Sequence, residues 1–412
     1  MRSISWPAAV RTDGGSGLGS VAGGGVTLRP VPPGGPVRDM SGHEQGDDER
    51  MMARAAALGW ATRRRTAPWP AVGCVITAAG AIVGEGATGD YPTGPHAEPA
   101  ALGVAGESAR GATAYVTLEP CDHHGNTPPC TEALIAAGVT RVVIACTDPD
   151  ERVAGRGVLR LREAGIEVVV GVGAESVTED LAPYLHHRRT GRAFVTAKIA
   201  MSLDARVAAA DGTSQWITGP VARADTHELR ADVQAVVVGS GTALADRPAL
   251  TVRGVAEPPR EPPCRVLLDG RGRVPPAGPL FDDSAPTLVV TTAGVSATAV
   301  NGWRRAGAEV VTVPAARSGL DLDAVLTRLG EQGVLHALFE GGGNLLGSVV
   351  DAGRVDRLVA YVAPLVLGTG GRPAFGLRGP DTLAAARRYR LRAATVVGED
   401  VRLDYARRAE ED

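Results

Sequence analysis

The stretch from His96 to Cys130 constrains this chain most. It opens with His96-Ala97-Glu98 and closes with Glu119-Pro120-Cys121-Asp122-His123-His124-Gly125-Asn126-Thr127-Pro128-Pro129-Cys130. One imidazole and two thiolates can hold a zinc ion on three sides and leave a fourth position for water, as catalytic zinc requires and structural zinc does not. Glu98 follows closely enough on His96 to move a proton without ligating. For these side chains to meet, the fold must bring two helix starts and one strand end to a single point. The hydrophobic pattern predicts that arrangement. His96 opens a helix running to about Gly106, a strand over 112–118 delivers Cys121, and Pro128-Pro129 pre-set a helix over 129–137 with Cys130 in its first turn. Pro99 is tolerated in the first turn, where its missing N–H had no partner. A helix N-terminus also favours a thiolate, through its free amides and dipole.

The joint pattern His-x-Glu, Pro-Cys, Cys is that of zinc-dependent nucleobase deaminases, although the loop between the cysteines is longer than in the compact form. A lone His or Cys is usually structural; four such groups at element ends are not. With zinc in place, an activated water attacks an amidine-like ring carbon, and Glu98 carries its proton to the leaving amine. His123 and His124 read as loop residues that buttress the site or touch substrate rather than as ligands, since three protein ligands are already supplied.

The remaining sequence supplies a scaffold and a second chemistry. A length of 412 residues implies two or three domains. Residues 1–48, rich in Gly, Pro, Ser and charge, are expected to be a disordered extension. The first domain is expected over 49–191, with a helix at 49–65, a hairpin of strands 71–77 and 81–86, strands at 141–145 and 166–171, and helices at 156–164 and 175–189. The second is expected over 192–412. Its strands are at 194–200, 235–238, 265–268, 287–291, 309–313 and 335–339, and its helices near 220–231, 297–305 and 321–330. A strand-rich tail, 354–367 and 387–405, adds an antiparallel edge to a mostly parallel sheet. Both domains are therefore α/β layers. A net charge of −3, with acids and bases interspersed, gives no nucleic-acid or membrane surface. No apolar run approaches the roughly 20 residues of a membrane span. Five cysteines, an odd count in a long chain, fit a reducing cytoplasmic setting rather than a disulfide framework.

In the second domain, Glu340-Gly341-Gly342-Gly343-Asn344 follows one strand and Gly239-Ser240-Gly241-Thr242 another. Such turns let backbone amides approach phosphate at a helix N-terminus. Two in one domain point to a dinucleotide, though their spacing is not the Rossmann fingerprint. Arg230, Arg253 and Lys198 are candidates for a substrate phosphate, with ordinary surface charge as the alternative.

With these motifs in order, the chain closely resembles the bifunctional deaminase/reductase family of riboflavin biosynthesis, in which the longer cysteine loop is normal. Lys198-Ile199-Ala200-Met201-Ser202-Leu203-Asp204, Ser214-Gln215-Trp216-Ile217-Thr218-Gly219, Leu229-Arg230-Ala231, Gly241-Thr242-Ala243-Leu244-Ala245-Asp246, Leu250-Thr251-Val252-Arg253 and Glu340-Gly341-Gly342 match its reductase motifs. The likeness covers about residues 50–408. It implies a cytidine-deaminase-like αβα domain with one zinc ion on His96, Cys121 and Cys130 and Glu98 as the catalytic proton carrier. It further implies a dihydrofolate-reductase-like α/β domain that uses NADPH. Ala200, Trp216, Thr242, Asp246 and the turn Gly342, Gly343, Asn344, Leu345, Leu346, Gly347 and Ser348 would contact NADPH. Ser214, Arg230, Leu250, Arg253, Glu340 and Lys198 would hold a phosphoribosyl pyrimidine. Family members are often oligomeric, so a homo-oligomer is implied as well. The expected reactions are deamination of a 2,5-diamino-6-(5-phosphoribosylamino)pyrimidinone, then reduction of its ribosyl group to ribityl.

Three positions depart from the family pattern. Trp69 replaces the usual Asn before the first strand and offers one donor and a large ring instead of a donor–acceptor pair. Ala205 replaces a Gly, and Arg247 replaces an Asp. Trp69 keeps open a relative acting on another pyrimidine or pterin. A catalytically weak protein with structural zinc is a third reading, opposed by the intact Glu98.

Overall fold

The computed structural model describes residues 42–125, 128–317, 319–376 and 379–408. The expected extension lies outside them except for 42–48, which are helical: α1 spans Gly42–Thr66 and begins before the expected 49. Asp48 explains the earlier start. It is buried, accepts the Tyr115 hydroxyl at 2.9 Å and accepts from Nη1 and Nη2 of Arg141 at 2.8 Å each. Those partners are remote in sequence, so the polar local composition hid the anchor.

The first domain continues with β1 (Gly73–Ala78), β2 (Ala81–Ala87), α2 (Ala97–Ala105), β3 (Thr113–Leu118), α3 (Cys130–Ala137), β4 (Arg141–Cys146), α4 (Arg156–Glu163) and β5 (Glu167–Val170). The sheet runs β2-β1-β3-β4-β5, antiparallel across β2, β1 and β3 and parallel from β3 to β5. On β4, Val142, Val143 and Ile144 are all buried, as a strand covered on both faces requires. At Gly86, a Cβ would lie 2.5 Å from the Ala97 carbonyl oxygen, so glycine lets α2 sit directly on β2 and fixes where the helix begins. The helix expected at 175–189 is two, α5 (Ala174–Asp180) and α6 (Ala182–Thr190). Pro183 opens the second, where it lacks the N–H that would continue the first.

The second domain comprises β6 (Phe194–Ser202), β7 (Arg206–Ala208), α7 (Pro220–Ala231), β8 (Ala235–Gly239), α8 (Ser240–Asp246), β9 (Cys264–Leu268), β10 (Thr287–Thr291), α9 (Ala297–Arg305) and β11 (Glu309–Thr312). It then forms the short hairpin β12 (Ala315–Ala316) and β13 (Gly319–Leu320), α10 (Leu322–Glu331), β14 (His336–Glu340), α11 (Gly343–Asp351), β15 (Arg357–Ala363), β16 (Arg372–Pro373), β17 (Tyr389–Val397) and β18 (Asp400–Arg407). Among the described residues its main sheet has nine strands, ordered β11-β10-β9-β8-β14-β6-β15-β18-β17. The sheet is parallel from β11 to β15, and the hairpin β17–β18 adds the antiparallel edge expected from the tail. Strand alternation splits the core between the two faces. Ala235, Val237, Ala337 and Phe339 pack on one side; Val236, Val238 and Leu338 pack on the other.

The domains are joined by more than the linker. Arg64, its side chain 8% exposed at the end of α1, binds Asp232 at 2.6 Å, Glu228 at 2.7 Å and the Glu257 carbonyl at 2.5 Å. Arg63 adds a 3.0 Å contact to Asp232. Among the described residues, no helix is long and apolar enough to cross a membrane.

Candidate active sites

The first site forms where α2 and α3 begin and the segment after β3 passes between them. His96 is the N-cap of α2, but its side chain makes no capping bond, which leaves the ring free to turn inward. Its Nδ1 lies 3.2 Å from Cys130 Sγ and 3.7 Å from Cys121 Sγ. Zinc bonds of about 2.0–2.3 Å imply tetrahedral edges of about 3.5 Å between nitrogen and sulfur, so the three atoms already stand on one ion's coordination sphere. All three lie within 4.8 Å of one another. The donor set thus fits zinc on geometry and on chemistry, and it is the set expected from sequence.

The electrostatics also suit a cation. The Cys130 thiol hydrogen-bonds Cys121 and, with His96 and the Cys130 backbone amide acting against burial, brings the Cys121 thiol down to about 4. The same pairing, together with burial, pushes Cys130 up. The Cys121 hydrogen bond raises His96 despite burial. Glu98, 4% exposed in the first turn of α2, is pushed up to about 7 by burial and then by the neighbouring Cys121 thiolate. A bound dication acts in the opposite sense on such a carboxyl. Trp69 forms a side wall, edge-on to His96 at 5.8 Å between centroids and to Tyr91 at 5.0 Å. His124 is exposed; His123 is half-buried, and its Nδ1 is without a partner among the described residues.

One residue in this site escaped the sequence reading. Glu119 is buried, and its carboxylate accepts the backbone N–H groups of Asp148 at 3.2 Å, Gly155 at 3.1 Å and Val158 at 3.2 Å. It ties the segment carrying Cys121 to the start of α4. Gly157 permits the close approach, since a Cβ there would meet the Pro120 carbonyl oxygen at 2.0 Å. The available signal was a lone Glu at a strand end, which names no partner.

The second site lies at the C-terminal ends of the parallel strands, where ligands bind in open α/β sheets. Lys198 on β6 and Glu340 on β14 are register partners. Arg230, in the last turn of α7, grips Glu340 with two bonds of 2.6 and 2.9 Å and donates to the Thr251 carbonyl at 3.0 Å. Burial pushes Glu340 up, but Arg230 and Lys198 outweigh it and hold the carboxyl down. Burial lowers the Lys198 ammonium, which sits 5.5 Å from the Tyr361 ring centroid. Ser214 adjoins Asp246, so a residue expected at the substrate meets one expected at the cofactor; burial raises that carboxyl and Ser214 opposes the rise.

The two glycine turns also meet, through the Gly342 N–H donated to Thr242 Oγ1 at 2.9 Å. The turn after β8 is α8 itself, a helix that the pattern concealed among its glycine and small residues. On α11, Asn344 is exposed and Leu345 half-buried, while Leu346 and Gly347 face the core and Ser348 bonds the Asn344 carbonyl at 2.9 Å. Ala200 lies on β6, half-buried and paired with Tyr361. Trp216 is exposed under the Arg223 guanidinium, 4.6 Å from its centroid. Leu250 is buried and Arg253 exposed. Two of the departures sit in left-handed backbone, Ala205 at φ 57° and Arg247 at φ 43°, so Ala205 holds a conformation that its family's usual glycine adopts freely.

A zinc-type His/Cys/Cys centre on one α/β domain and an acid–base cluster at the strand ends of another define a two-domain deaminase–reductase. Comparison with known proteins agrees on both halves. Residues 45–146 match the cytidine and deoxycytidylate deaminase zinc-binding region, and residues 193–403 match the RibD C-terminal domain. The chain is 42% identical to riboflavin biosynthesis protein RibD of Escherichia coli K12 over 367 residues, covering 86% of this chain and 98% of that protein. It is 37% identical to the Aquifex aeolicus protein of the same name, over 87% and 98% of the two chains. Among solved structures, Acinetobacter baumannii RibD superposes with a TM-score of 0.79 at 36% identity, over 89% of this chain and 100% of that one. The diaminohydroxyphosphoribosylaminopyrimidine deaminase/5-amino-6-(5-phosphoribosylamino)uracil reductase of Thermotoga maritima gives 0.77 at 32%, over 89% and 100%. The chain belongs to the RibD family of bifunctional riboflavin-biosynthesis deaminase/reductases.

Proposed function

We propose that this chain deaminates 2,5-diamino-6-(5-phosphoribosylamino)pyrimidin-4(3H)-one and then reduces the ribosyl group of the product to ribityl with NADPH. The observation that carries the reading is the meeting of His96, Cys121 and Cys130 within 4.8 Å, beside a buried Glu98. Zinc held there supplies Lewis-acid activation of water. Glu98 takes the proton from that water and returns it to the departing amine. Trp69 and Tyr91 confine the ring on the side where the family usually presents an Asn. In the second domain bound NADPH would supply a hydride to the ribosyl carbon bonded to nitrogen; as that C–H bond forms, the bond from the same carbon to the ring oxygen breaks and the freed oxygen takes a proton. Thr242, Asp246, Ala200, Trp216 and the 342–348 turn hold the cofactor. Arg230 fixes Glu340, Lys198 beside it holds the proton that accompanies the hydride, and the exposed Arg253 is open to the substrate phosphate.

The test is to incubate the zinc-loaded protein with the diaminopyrimidine and follow ammonia release and NADPH oxidation. Both are expected. Zinc bound with neither product would reject the reading, and turnover of another heterocycle would favour the alternative that Trp69 motivates. Glu98→Gln should keep zinc, lose ammonia release and still reduce pre-deaminated substrate.

A further inference from the structure

Lys198 is the sole lysine among the 43 lysines and arginines of this chain. Every other position of that kind is arginine, whose guanidinium does not release a proton at working pH, whereas an ammonium can. Among the described residues Lys198 donates no hydrogen bond, so its N–H groups are unengaged. Burial lowers the ammonium, Glu340 of β14 raises it and Arg230 of α7 lowers it again. Glu340 acts through its charge alone, because Arg230 already grips that carboxylate with two bonds. His227, also on α7, acts on Glu340 and donates or accepts at the Thr251 carbonyl.

The group that Lys198 does meet is the ring of Tyr361, with Nζ 5.5 Å from its centroid. That is within the roughly 6 Å over which a ring face attracts a cation. Tyr361 is fully buried on β15 and pairs with Ala200, two residues along β6 from Lys198. Its ring is braced from two further elements. The hydroxyl donates to Asp225 of α7 at 2.6 Å, and Arg402 of β18 donates to that carboxylate at 2.9 and 3.2 Å. Arg402 is held in turn by Asp404 at 2.9 Å. Burial and the bond to Asp225 push the phenol up, so the ring stays neutral and keeps its electron-rich face.

We propose that Tyr361 is a positioning residue of the reductase, whose braced ring holds the Lys198 ammonium in place while leaving its N–H groups free for substrate. A carboxylate or carbonyl would occupy those donors one at a time; an aromatic face attracts the charge as a whole. The attraction favours the ammonium over the neutral amine and so opposes burial, which keeps the proton on Lys198 until the freed ribosyl oxygen takes it. The inference rests on Lys198 as the proton source in the proposed reduction.

The sole lysine makes the test direct. Carbon-13 lysine in the full chain gives one ε-carbon signal, whose movement with pH reports Lys198 without turnover. Tyr361→Phe keeps the ring, and progressively fluorinated phenylalanine at that position weakens the π face at nearly constant shape. Tyr361→Phe should titrate with the parent. Along the fluorinated series the Lys198 midpoint should fall step by step, by about one pH unit in all, the equivalent of a desolvated cation–π contact. The alkaline limb of NADPH oxidation on pre-deaminated substrate should move down by the same amount, about tenfold in kcat above the limb, with KM for NADPH and ammonia release unchanged. A midpoint that stays flat along the series, or that falls as far in Tyr361→Phe as in the most fluorinated chain, overturns the contact. A midpoint that moves while the NADPH profile does not overturns the positioning role. A parent chain that oxidises no NADPH would refute the proposed reduction, and the fluorinated series would still decide the contact.

Discussion

Glu119 touches no candidate ligand directly, yet the zinc site should depend on it. One of its oxygens accepts two backbone N–H groups, from Asp148 and Gly155, and the other accepts one, from Val158. Glu119→Gln keeps the shape and one acceptor oxygen. The amide will orient that oxygen towards Asp148 and Gly155, because this saves two bonds rather than one. The NH2 group then faces the Val158 N–H, leaving a buried donor unpaired and opposed. Losing a charge-assisted bond of this kind costs about 2 kcal/mol, and the two retained bonds also weaken without the negative charge. Glu119→Ala strands all three donors and should cost upward of about 4 kcal/mol at about 1–3 kcal/mol each. Cys121 lies two positions along the chain from Glu119, so loosening this tie should also lower zinc affinity by about 10–100-fold. Urea unfolding of the zinc-loaded protein gives the first quantity and competition with a chromophoric chelator the second. The order parent, Gln, Ala is expected in both. If both variants unfold within about 0.5 kcal/mol of the parent and hold zinc equally, the buttress does not act as described.

Three further outcomes follow from single contacts. Arg230→Met leaves Glu340 with Lys198 alone and should depress NADPH oxidation at least about 100-fold with ammonia release unchanged; Arg230→Lys should not rescue it, because an ammonium cannot make the two-pronged grip. A matching fall in ammonia release would show that the two sites are not independent. Arg64→Leu removes a nearly buried guanidinium that binds Asp232 and Glu228, costing about 2–3 kcal/mol given that Glu228 is 43% exposed. Hydrogen exchange should speed up at residues 60–66 and 228–232, and unchanged exchange would count against a domain tie. Asp150 is buried, which raises its pKa, but Arg152 and Arg188 more than offset this and bring it down to about 2. A carboxyl depressed below its unfolded value adds stability that is present above about pH 4 and fades as pH falls towards 2. Asp150→Asn should therefore lose about 2 kcal/mol at pH 7 and match the parent near pH 2. An equal deficit at both pH values would rule out the ionic origin.

What the sequence made legible is what lies close together along it. His96 with Glu98, and Cys121 with Cys130, belong to short motifs whose element ends follow from proline placement and hydrophobic period, and the fold places them as expected. The helices 220–231 and 297–305 coincide with their expected bounds for the same reason. What stayed hidden is set by partners far along the chain. Arg230 and Glu340 each read as a group for substrate, but 110 residues separate them and nothing local says that they grip one another. Three of Arg230's five N–H donors are engaged within the protein, two on Glu340 and one on the Thr251 carbonyl. Asp48 read as the end of a disordered tail, because Tyr115 and Arg141 lie on later strands. Trp69 was visible from the outset as a departure, but its position was not. It stands between the zinc ligand His96 on one side and a cavity shared by the domains on the other. An Asn there could bond a substrate but could not span both. The substitution thus exchanges a hydrogen-bonding contact for a rigid wall, and that wall joins the deaminase centre to the domain interface.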